Sequence, residues 1–243
     1  MALSRTQLDK LGERLKAGTY DADDLRRLDE YRRSFSGASE AVTRILRDEC
    51  GLSPTARPAK STKAIVEKLT RLSTQLTRIQ DIAGCRVVVD NLLSQQIEVK
   101  RLREYFPEAR VIDRVVVPSS GYRAIHVVVK HEGHWVEVQF RTELQHLWAV
   151  LSEKVADRFG NALKYGGGDG TVQTRLNQLA NTAYHVDFLQ VIFLTVPEAG
   201  AEGDEGAGSG READFAELDR FRRLLSDKLH QYSEHPDSLL DDT

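Results

Sequence analysis

The chain has 243 residues, of which 40% are hydrophobic and 29% are charged, a composition that excludes intrinsic disorder of the whole protein. Its net charge of −3, taken alone, argues against a dedicated nucleic-acid binder. The average hides two pieces, because residues 197–243 hold 13 acidic and 5 basic side chains, which leaves residues 1–196 with a net charge of +5.

Neither a membrane anchor nor a cysteine framework is expected. No apolar run approaches the roughly 20 residues of a membrane span, and the start, MALSRTQLDKLGERL, is charged where a signal peptide is apolar. We therefore expect a cytoplasmic protein without a membrane partner. Cys50 and Cys85 are too few for a disulfide framework or a cysteine-rich zinc site, so both are expected to be packing residues.

The first part of the chain, residues 1–50, is predicted to be helical. Apolar residues recur at near-helical spacing from Leu25 to Leu46, and acidic residues precede them, as is typical of a helix N-terminus. We expect one or two helices, which end near Gly51. After the breaker-rich stretch GLSPTARPAK, the apolar spacing predicts another helix over 62–75.

Four segments rich in Val and Ile are predicted to be strands. They run over residues 81–90, 109–118, 122–131 and 134–140. The PSSG loop and the Glu132-Gly133 turn imply antiparallel pairing of the last three, and a helix over 93–105 separates the first two. The predicted fold is therefore α+β, with a mixed, largely antiparallel sheet of about five strands flanked by helices.

Helices are predicted again after the last strand. Thr142 and Gln145 have the spacing of a capping box, which opens a helix, and a second helical pattern follows the glycine cluster KYGGGDG. The segment AGAEGDEGAGSG predicts a flexible linker before a last helix over 211–231. The predicted organisation is helices over 1–50, a sheet-containing domain over 51–196, a linker over 197–210 and an acidic helix and tail over 211–243.

Two carboxylates stand out on the predicted sheet. In the strand HWVEVQFR, alternation places Glu137, Gln139 and Arg141 on one face. A solvated face of an antiparallel sheet is the alternative interpretation. Asp81 begins the first strand, ahead of the small pair Ala83-Gly84, which allows a backbone or a ligand to approach closely. Asp81 and Glu137 together can hold a hard cation such as Mg²⁺.

Aromatic and basic residues accompany these carboxylates. Tyr122 and His126 share a face after the loop Ser119-Ser120-Gly121 and form a plausible platform for stacking a base, although core packing is the alternative for Tyr122. Residues 57–78 carry six bases and one acid, which indicates either a solvated helix face or a phosphate site beside a metal. There is no GxxxxGK[ST] motif, so any nucleotide is held without a P-loop.

Four ordered blocks, RPAKSTKAIVEKL, DIAGCRVVV, VVPSSGYRAIHVVV and VEVQFRTELQHLWA, together resemble the synthetase domain of the RelA/SpoT alarmone enzymes, most closely the stand-alone small alarmone synthetases. The resemblance runs from about residue 55 to 168. It implies a nucleotidyltransferase-like fold that moves pyrophosphate from ATP onto the 3′-hydroxyl of a nucleotide, with Mg²⁺ as cofactor.

The resemblance also implies roles for single residues. Asp81 resembles the magnesium-binding aspartate, and Glu137 the second metal-binding acid, placed to take the proton of the attacking hydroxyl. The acceptor side is implied for Tyr122, with His126 and Gln139 beside it. The implied ATP-binding residues are Arg57, Lys60, Lys68 and Arg86.

Two motifs depart from the family pattern. In RxKxxxSxxxK, Lys60 and Lys68 align, but Arg57 is one residue out of step and Ala64 replaces the serine. The acceptor loop, usually PKxNGY, reads PSSGY, so Ser119 and Ser120 stand where lysine and asparagine are usual. No His-Asp hydrolase domain precedes the synthetase blocks, so synthesis without degradation is expected.

Three functions remain open at this point. The first is a pyrophosphokinase acting on GDP or GTP to make (p)ppGpp. The second is a toxin of a toxin-antitoxin system, which pyrophosphorylates the 3′ CCA end of tRNA or makes another alarmone, and which has an antitoxin protein as partner. The third is a catalytically silent binding module. The apolar stripe of the last helix is expected to fold back on the body or to contact an antitoxin or another subunit of a homo-oligomer.

Overall fold

The computed structural model of the protein describes residues 3–57, 59–196 and 207–241. The helices are α1 (Arg5–Ala17), α2 (Ala22–Arg33), α3 (Ser36–Asp48), α4 (Thr62–Leu72), α5 (Leu92–Tyr105), α6 (Glu143–Phe159), α7 (Gly170–Thr195) and α8 (Ala207–Glu234). The strands are β1 (Thr55–Arg57), β2 (Ala83–Val89), β3 (Arg110–Asp113), β4 (Ile125–His131) and β5 (His134–Thr142).

The five strands form one sheet in the order β1-β2-β5-β4-β3. β1 pairs with β2 in antiparallel register, with Arg57 opposite Gly84. β4 and β5 are neighbours joined by the two residues Glu132 and Gly133, whose φ angles of 47° and 82° are those of a tight hairpin turn. A mixed α+β fold with five strands is confirmed.

The chain divides into two compact units. The first unit comprises Met1–Val87, Glu98–Ile112 and His126–Phe140, and it includes most of the sheet. Its helices bury apolar side chains of α1, α2 and α4, among them Leu11, Leu28 and Leu69. In α1, Leu8, Leu11 and Leu15 recur at helical spacing, so the sequence pattern by itself specifies which face of that helix is buried.

The second unit comprises Val88–Ile97, Asp113–Ile125 and Arg141–Thr243, and its core lies among α6, α7 and α8. Thr142 caps α6 through a capping box with Gln145, as predicted. Leu225 and Leu229 of α8 are buried in this core, so the apolar stripe of the last helix folds back on α6 and α7. Phe221 on the same helix remains 47% exposed.

Two strand predictions were too long. The predicted strand over 109–118 ends at Asp113, whose Oδ1 accepts hydrogen bonds from the backbone N–H groups of Val115 and Val116 and so turns the chain. The predicted strand over 122–131 begins only at Ile125, and Tyr122 lies in the preceding turn. The alternation that placed Tyr122 and His126 on one face of a strand is therefore wrong.

Residues 1–50 contain three helices rather than the one or two expected, because α1 precedes the acidic cluster at which the first helix was placed. Strand β1 was not predicted, because it is only three residues long and lies in a breaker-rich stretch. Helix α8 begins at Ala207, earlier than the predicted start at Arg211, and the rest of the predicted linker, residues 197–206, lies outside the described residues. No helix among the described residues has the length and apolar content that crossing a bilayer requires.

Candidate active site

Asp81 lies just before β2 and forms ion pairs with two lysines. The Nζ atoms of Lys60 and Lys68 lie 2.9 and 2.8 Å from Asp81 Oδ2. Lys68 belongs to α4, and the backbone N–H of Lys60 donates to the carbonyl of Ile82, which fixes the segment beside the strand. Burial alone would raise the pKa of Asp81, but the two ammonium groups lower it to about 2. Asp81 is therefore ionised at neutral pH.

The second oxygen of the same carboxylate has a different environment. Oδ1 of Asp81 is buried and has no hydrogen-bond partner among the described residues. An ionised oxygen left in this state is costly unless a ligand or a cation reaches it. Asp81 therefore presents one oxygen that is neutralised by lysines and one that is available to a ligand.

Glu137 occupies the middle of β5 and has three side-chain neighbours. Its Oε1 lies 2.8 Å from His126 Nδ1, and its Oε2 accepts a 2.6 Å hydrogen bond from Gln139 Nε2. Arg57 Nη1 lies 3.5 Å from the same Oε2. Burial and the charge of Asp81 act to raise the pKa of Glu137, but the hydrogen bond and charge of His126, with the hydrogen bond from Gln139, lower it below its ordinary value.

Gly84 allows the backbone of β2, which follows Asp81, to approach the backbone of β5 closely at Glu137. A Cβ atom at Gly84 of β2 would lie only 2.2 Å from the carbonyl oxygen of Glu137. No side chain fits there, so the prediction of a close backbone approach at Ala83-Gly84 is confirmed. The influence of Asp81 on the pKa of Glu137 agrees with two carboxylates that interact through space.

The remaining predicted ATP residue of this unit is Arg86, which lies on β2 opposite Thr55 of β1 and is partly buried. The first unit therefore contains two sets of direct contacts, one of Asp81 with Lys60 and Lys68. The other set joins Glu137 to Arg57, His126 and Gln139. Gln139 and His126, predicted on the acceptor side, contact Glu137 directly. Contact with ATP or an acceptor stays a prediction for each of these residues.

Tyr122 belongs to the second unit. Its backbone pairs with Ser119 across a short turn, and its ring packs against the core cluster of α6 and α7. The hydroxyl accepts a 2.9 Å hydrogen bond from Arg141 Nη2, and the Arg141 guanidinium lies 5.1 Å from the ring centroid. Both the packing interpretation and a binding role are compatible with this partly buried ring.

Sequence reasoning gave no role to the two arginines that hold the Tyr122 loop. Arg141 is 3% exposed and contacts Tyr122, whereas Arg123 donates to the carbonyl of Val115 and to Asn181 Oδ1 of α7. The Arg123 guanidinium also lies 4.3 Å from the ring centroid of Tyr184. Alternation placed Arg141 on a polar face, but the Asn181 partner of Arg123 is 58 residues away in sequence.

The described cysteine and histidine side chains are not arranged as a metal site. Among the described residues, no group of three or more His, Cys, Asp or Glu side chains is arranged to hold a metal ion. The ring of His134, near His131 in the hairpin, contacts Ser34 Oγ and the carbonyl of Glu132. Any cation bound at Asp81 and Glu137 would therefore complete its coordination with water or substrate oxygens.

The sequence resembles one protein family and several curated proteins. Residues 57–157 match a family model described as "Region found in RelA / SpoT proteins". Uncharacterised proteins of Mycobacterium tuberculosis and Mycobacterium bovis are 40% identical over 111 residues, which is 44% of this chain and 41% of each relative. The match thus spans about two fifths of the length of these curated relatives.

Two solved structures share the fold. The small alarmone synthetase 2 of Bacillus subtilis superposes with a TM-score of 0.55 at 23% identity, over 70% of this chain and 96% of that chain. The small alarmone synthetase 1 of the same organism gives a TM-score of 0.51 at 24% identity, over 70% and 95% of the two chains. At this level of identity the likeness establishes the fold alone.

Proposed function

Because residues 57–157 match the family model of RelA/SpoT proteins, we propose that the protein is a cytoplasmic ATP-dependent pyrophosphokinase. It transfers pyrophosphate from ATP to the 3′-hydroxyl of GDP or GTP and so makes (p)ppGpp. The observation that carries this proposal is the pair of ionised carboxylates, Asp81 with two lysines and Glu137 with His126 and Gln139. Phosphoryl-transfer chemistry needs both clustered cations and ionised acids.

Lys60 and Lys68 are our candidates for binding the phosphates of ATP. The side chains of Lys60 and Lys68 are 19% and 24% exposed, respectively, and their Nζ atoms lie within 3 Å of Asp81 Oδ2. Both can therefore exchange that contact for phosphate oxygens. Arg86, and with less support from its spacing Arg57, are proposed to flank the adenine, because guanidinium planes stack on aromatic rings. The Arg57 side chain is aimed at Glu137, which favours a role nearer the reacting groups.

The residues fit a bound Mg²⁺ ion. The buried Oδ1 of Asp81 is an ionised oxygen without a described partner, and Glu137 supplies a second carboxylate. Oxygen ligands of this type, few in number, suit Mg²⁺, which usually keeps several waters and binds substrate phosphates. When bound, the ion would neutralise charge on the transferred pyrophosphate. Asp81 and Glu137 would hold it.

Glu137 is proposed as the general base. The 3′-oxygen of the acceptor forms a bond to the β-phosphorus of ATP, the bond between that phosphorus and the α,β-bridging oxygen breaks, and AMP leaves. The proton of the 3′-hydroxyl passes to Glu137, whose lowered pKa keeps it ionised and ready to accept. His126 and Gln139 orient its two oxygens, so each oxygen has a fixed direction.

A second candidate acceptor is the 3′ end of tRNA, which would make the protein a toxin controlled by an antitoxin. One observation favours it. The loop before Tyr122 presents Ser119 and Ser120, and a serine offers the acceptor's 5′-phosphates no positive charge. The net charge of +5 over residues 1–196 suits a polyanionic acceptor equally well. An antitoxin or a homo-oligomer stays a prediction.

The deciding experiment incubates the full chain with Mg²⁺, ATP labelled in its γ-phosphate, and GDP, GTP or deacylated tRNA in separate reactions. We expect label in one acceptor and an equal amount of AMP. Glu137→Gln tests the proposed base, and Glu108→Gln is the control with the same change in net charge. Glu108 suits this control because it is exposed and has no ion pair among the described residues. Absence of label in all three acceptors would refute both candidate functions.

A further inference from the structure

A cleft in the first unit lies at the β4–β5 hairpin, away from the residues of the candidate active site. It has a volume of about 690 Å³, within the usual range for small-molecule sites. We call it the hairpin cleft and define it by its four cations and two of its rings: Arg5, Arg78, Arg110, Lys130, Tyr31 and Trp135.

The charge of the hairpin cleft is entirely positive. Its lining residues include no Asp or Glu, and all four cations are exposed. Within the described part of the chain, none of these four side chains forms an ion pair with a carboxylate. The nearby Asp9 does not line the cleft, and its carboxylate accepts two hydrogen bonds from Thr77. Clustered cations without counter-ions attract a multiply charged anion.

The rings of the cleft are held in place. Lys130 Nζ lies 5.6 Å from the ring centroid of Trp135, which is partly buried. Tyr31 packs edge-to-face on Phe35 at 5.1 Å, and Phe35 packs in the same way on His134 at 4.6 Å. A fixed aromatic surface beside cations is the arrangement that binds a base together with its phosphates.

The hairpin cleft is separate from the candidate active site. Strand alternation places Trp135 on the face of β5 that carries Glu137, and Lys130 on the face of β4 that carries His126. However, none of the lysines, arginines or carboxylates assigned to ATP or to catalysis lines the cleft. A ligand here would extend along the same sheet face and contact a different set of side chains.

We propose that the hairpin cleft is a second nucleotide site, which binds a nucleoside polyphosphate. Its phosphates contact Arg5, Arg78, Arg110 and Lys130, and its base stacks on Trp135. This proposal does not depend on the pyrophosphokinase activity, because it concerns binding to other residues.

The test follows tryptophan emission of the full chain during titration with ATP, with GDP or with inorganic tripolyphosphate. The chain has two tryptophans, and Trp148 is buried in the second unit with its indole N–H donating to the carbonyl of Leu176. We expect a saturable change with the nucleotides that is lost in Trp135→Phe, and competition by tripolyphosphate. An unchanged response in Trp135→Phe would contradict base stacking on Trp135.

Charge-reversal variants identify the phosphate contacts. The double variant Arg110→Glu/Lys130→Glu is expected to weaken nucleotide binding by about tenfold or more, since two charge-assisted contacts become repulsive. The control double variant Lys100→Glu/Arg103→Glu, with the same change in net charge on exposed residues of α5, should change binding less than about twofold. Equal weakening in both would reduce the effect to net charge and overturn the proposal.

Two further measurements test whether the signal comes from the active site and whether the cleft prefers RNA. Lys60→Met in the candidate active site should leave the Trp135 response intact, and loss of that response would assign the signal to the active site instead. A single-stranded RNA oligonucleotide should bind the cleft no more tightly than ATP, and an RNA-specific response would overturn the proposal in favour of a nucleic-acid site. An enzyme without transferase activity that keeps the Trp135 response would refute only the proposed function.

Discussion

The protein buries carboxyl groups in both units, and the two regions treat them in opposite ways. In the first unit, Asp81 faces two lysines and its pKa falls to about 2. In the second unit, Asp187 of α7 is fully buried and accepts a 2.6 Å hydrogen bond from Thr142 Oγ1, and burial raises its pKa to about 7. Burial opposes ionisation in both regions, so the partner decides the sign of the shift.

This difference separates the proposed ligand site from a buried acid that supports a helix terminus. The pKa values of Asp81 and Glu137 are lowered, and cations and an amide group compensate their charge. Asp187 instead supports the N-terminus of α6, because Thr142 caps that helix and also donates to Asp187. Arg222 and Glu143 are the charged neighbours of Asp187, and they pair with each other at 2.9 Å.

The largest expected effect is the loss of pyrophosphate transfer when Gln replaces Glu137 in the first unit. Glu137→Gln keeps the size of the side chain but removes the charge and the base, so transfer should fall by about a thousandfold or more. Initial rates of label transfer measure this loss, and the thermal unfolding midpoint should stay close to that of the wild type. A fully active Glu137→Gln enzyme would refute the base assignment, and Glu108→Gln is the control.

The next largest effect is a change in the free energy of unfolding when Asn replaces Asp187, the buried acid of the second unit. Between its ordinary pKa of 3.8 and its folded pKa of about 7, Asp187 holds a proton in the folded protein that the unfolded chain releases. The contribution of Asp187 to the free energy of unfolding of the wild type therefore falls as the pH rises through that range. Above that range it stays constant. Asp187→Asn should gain about 2 to 4 kcal/mol at about pH 8 and nothing near pH 4.

Denaturant unfolding at a series of pH values measures the Asp187→Asn difference. The Thr142 hydroxyl can still donate to the asparagine oxygen, so the cap of α6 is kept. Asp214→Asn, at an exposed position of α8, provides a control with no pH-dependent difference. A gain of equal size at every pH would mean that protonation of Asp187 has no part in stability.

The opposite pH dependence is expected when a cation is removed beside Asp81. Lys68→Met should raise the Asp81 pKa towards its ordinary value of 3.8 and destabilise the protein by about 1 to 2 kcal/mol at neutral pH. Because a lowered pKa stabilises the fold only above the ordinary pKa, this difference should fade as the pH falls from about 4 to about 2. Urea unfolding measures it, with Lys63→Met on the exposed face of α4 as control.

Local sequence patterns predicted much of the first region. Helix α4 was found from its apolar spacing, and the 62–75 prediction overran it only because Ser73 ends the helix with a φ of 46°. Glu137 and Gln139 were predicted on one face of β5, and they are hydrogen-bonded there. These features depend on period-2 and helical repeats, which are readable from neighbours in sequence. Helix α1, which was not separated from the other helices of residues 1–50, also had such a signal, since Leu8, Leu11 and Leu15 repeat and Ser4 with Gln7 forms a capping box.

The end of β3 was predicted too late, because the local turn at Asp113 appears in the sequence only as one polar residue among valines. Other features could not be predicted because their partners are distant in sequence. Arg123 reaches Asn181, and Thr142 reaches Asp187, contacts that only the packing of α7 creates. The hairpin cleft likewise joins Arg5 to Lys130, which no local pattern relates.

The smallest expected effect distinguishes packing from binding at Tyr122. Tyr122→Phe removes only the hydroxyl that accepts from Arg141, so the acceptor KM should rise by a few-fold, about 1 kcal/mol or less, while the KM for ATP stays unchanged. Tyr122→Ala also removes the ring and should raise the acceptor KM by about tenfold or more if the base stacks there. The exposed Tyr105 provides matched Phe and Ala controls. Unchanged acceptor kinetics in Tyr122→Ala, with lower stability, would mean that the ring only packs against the core of α6 and α7.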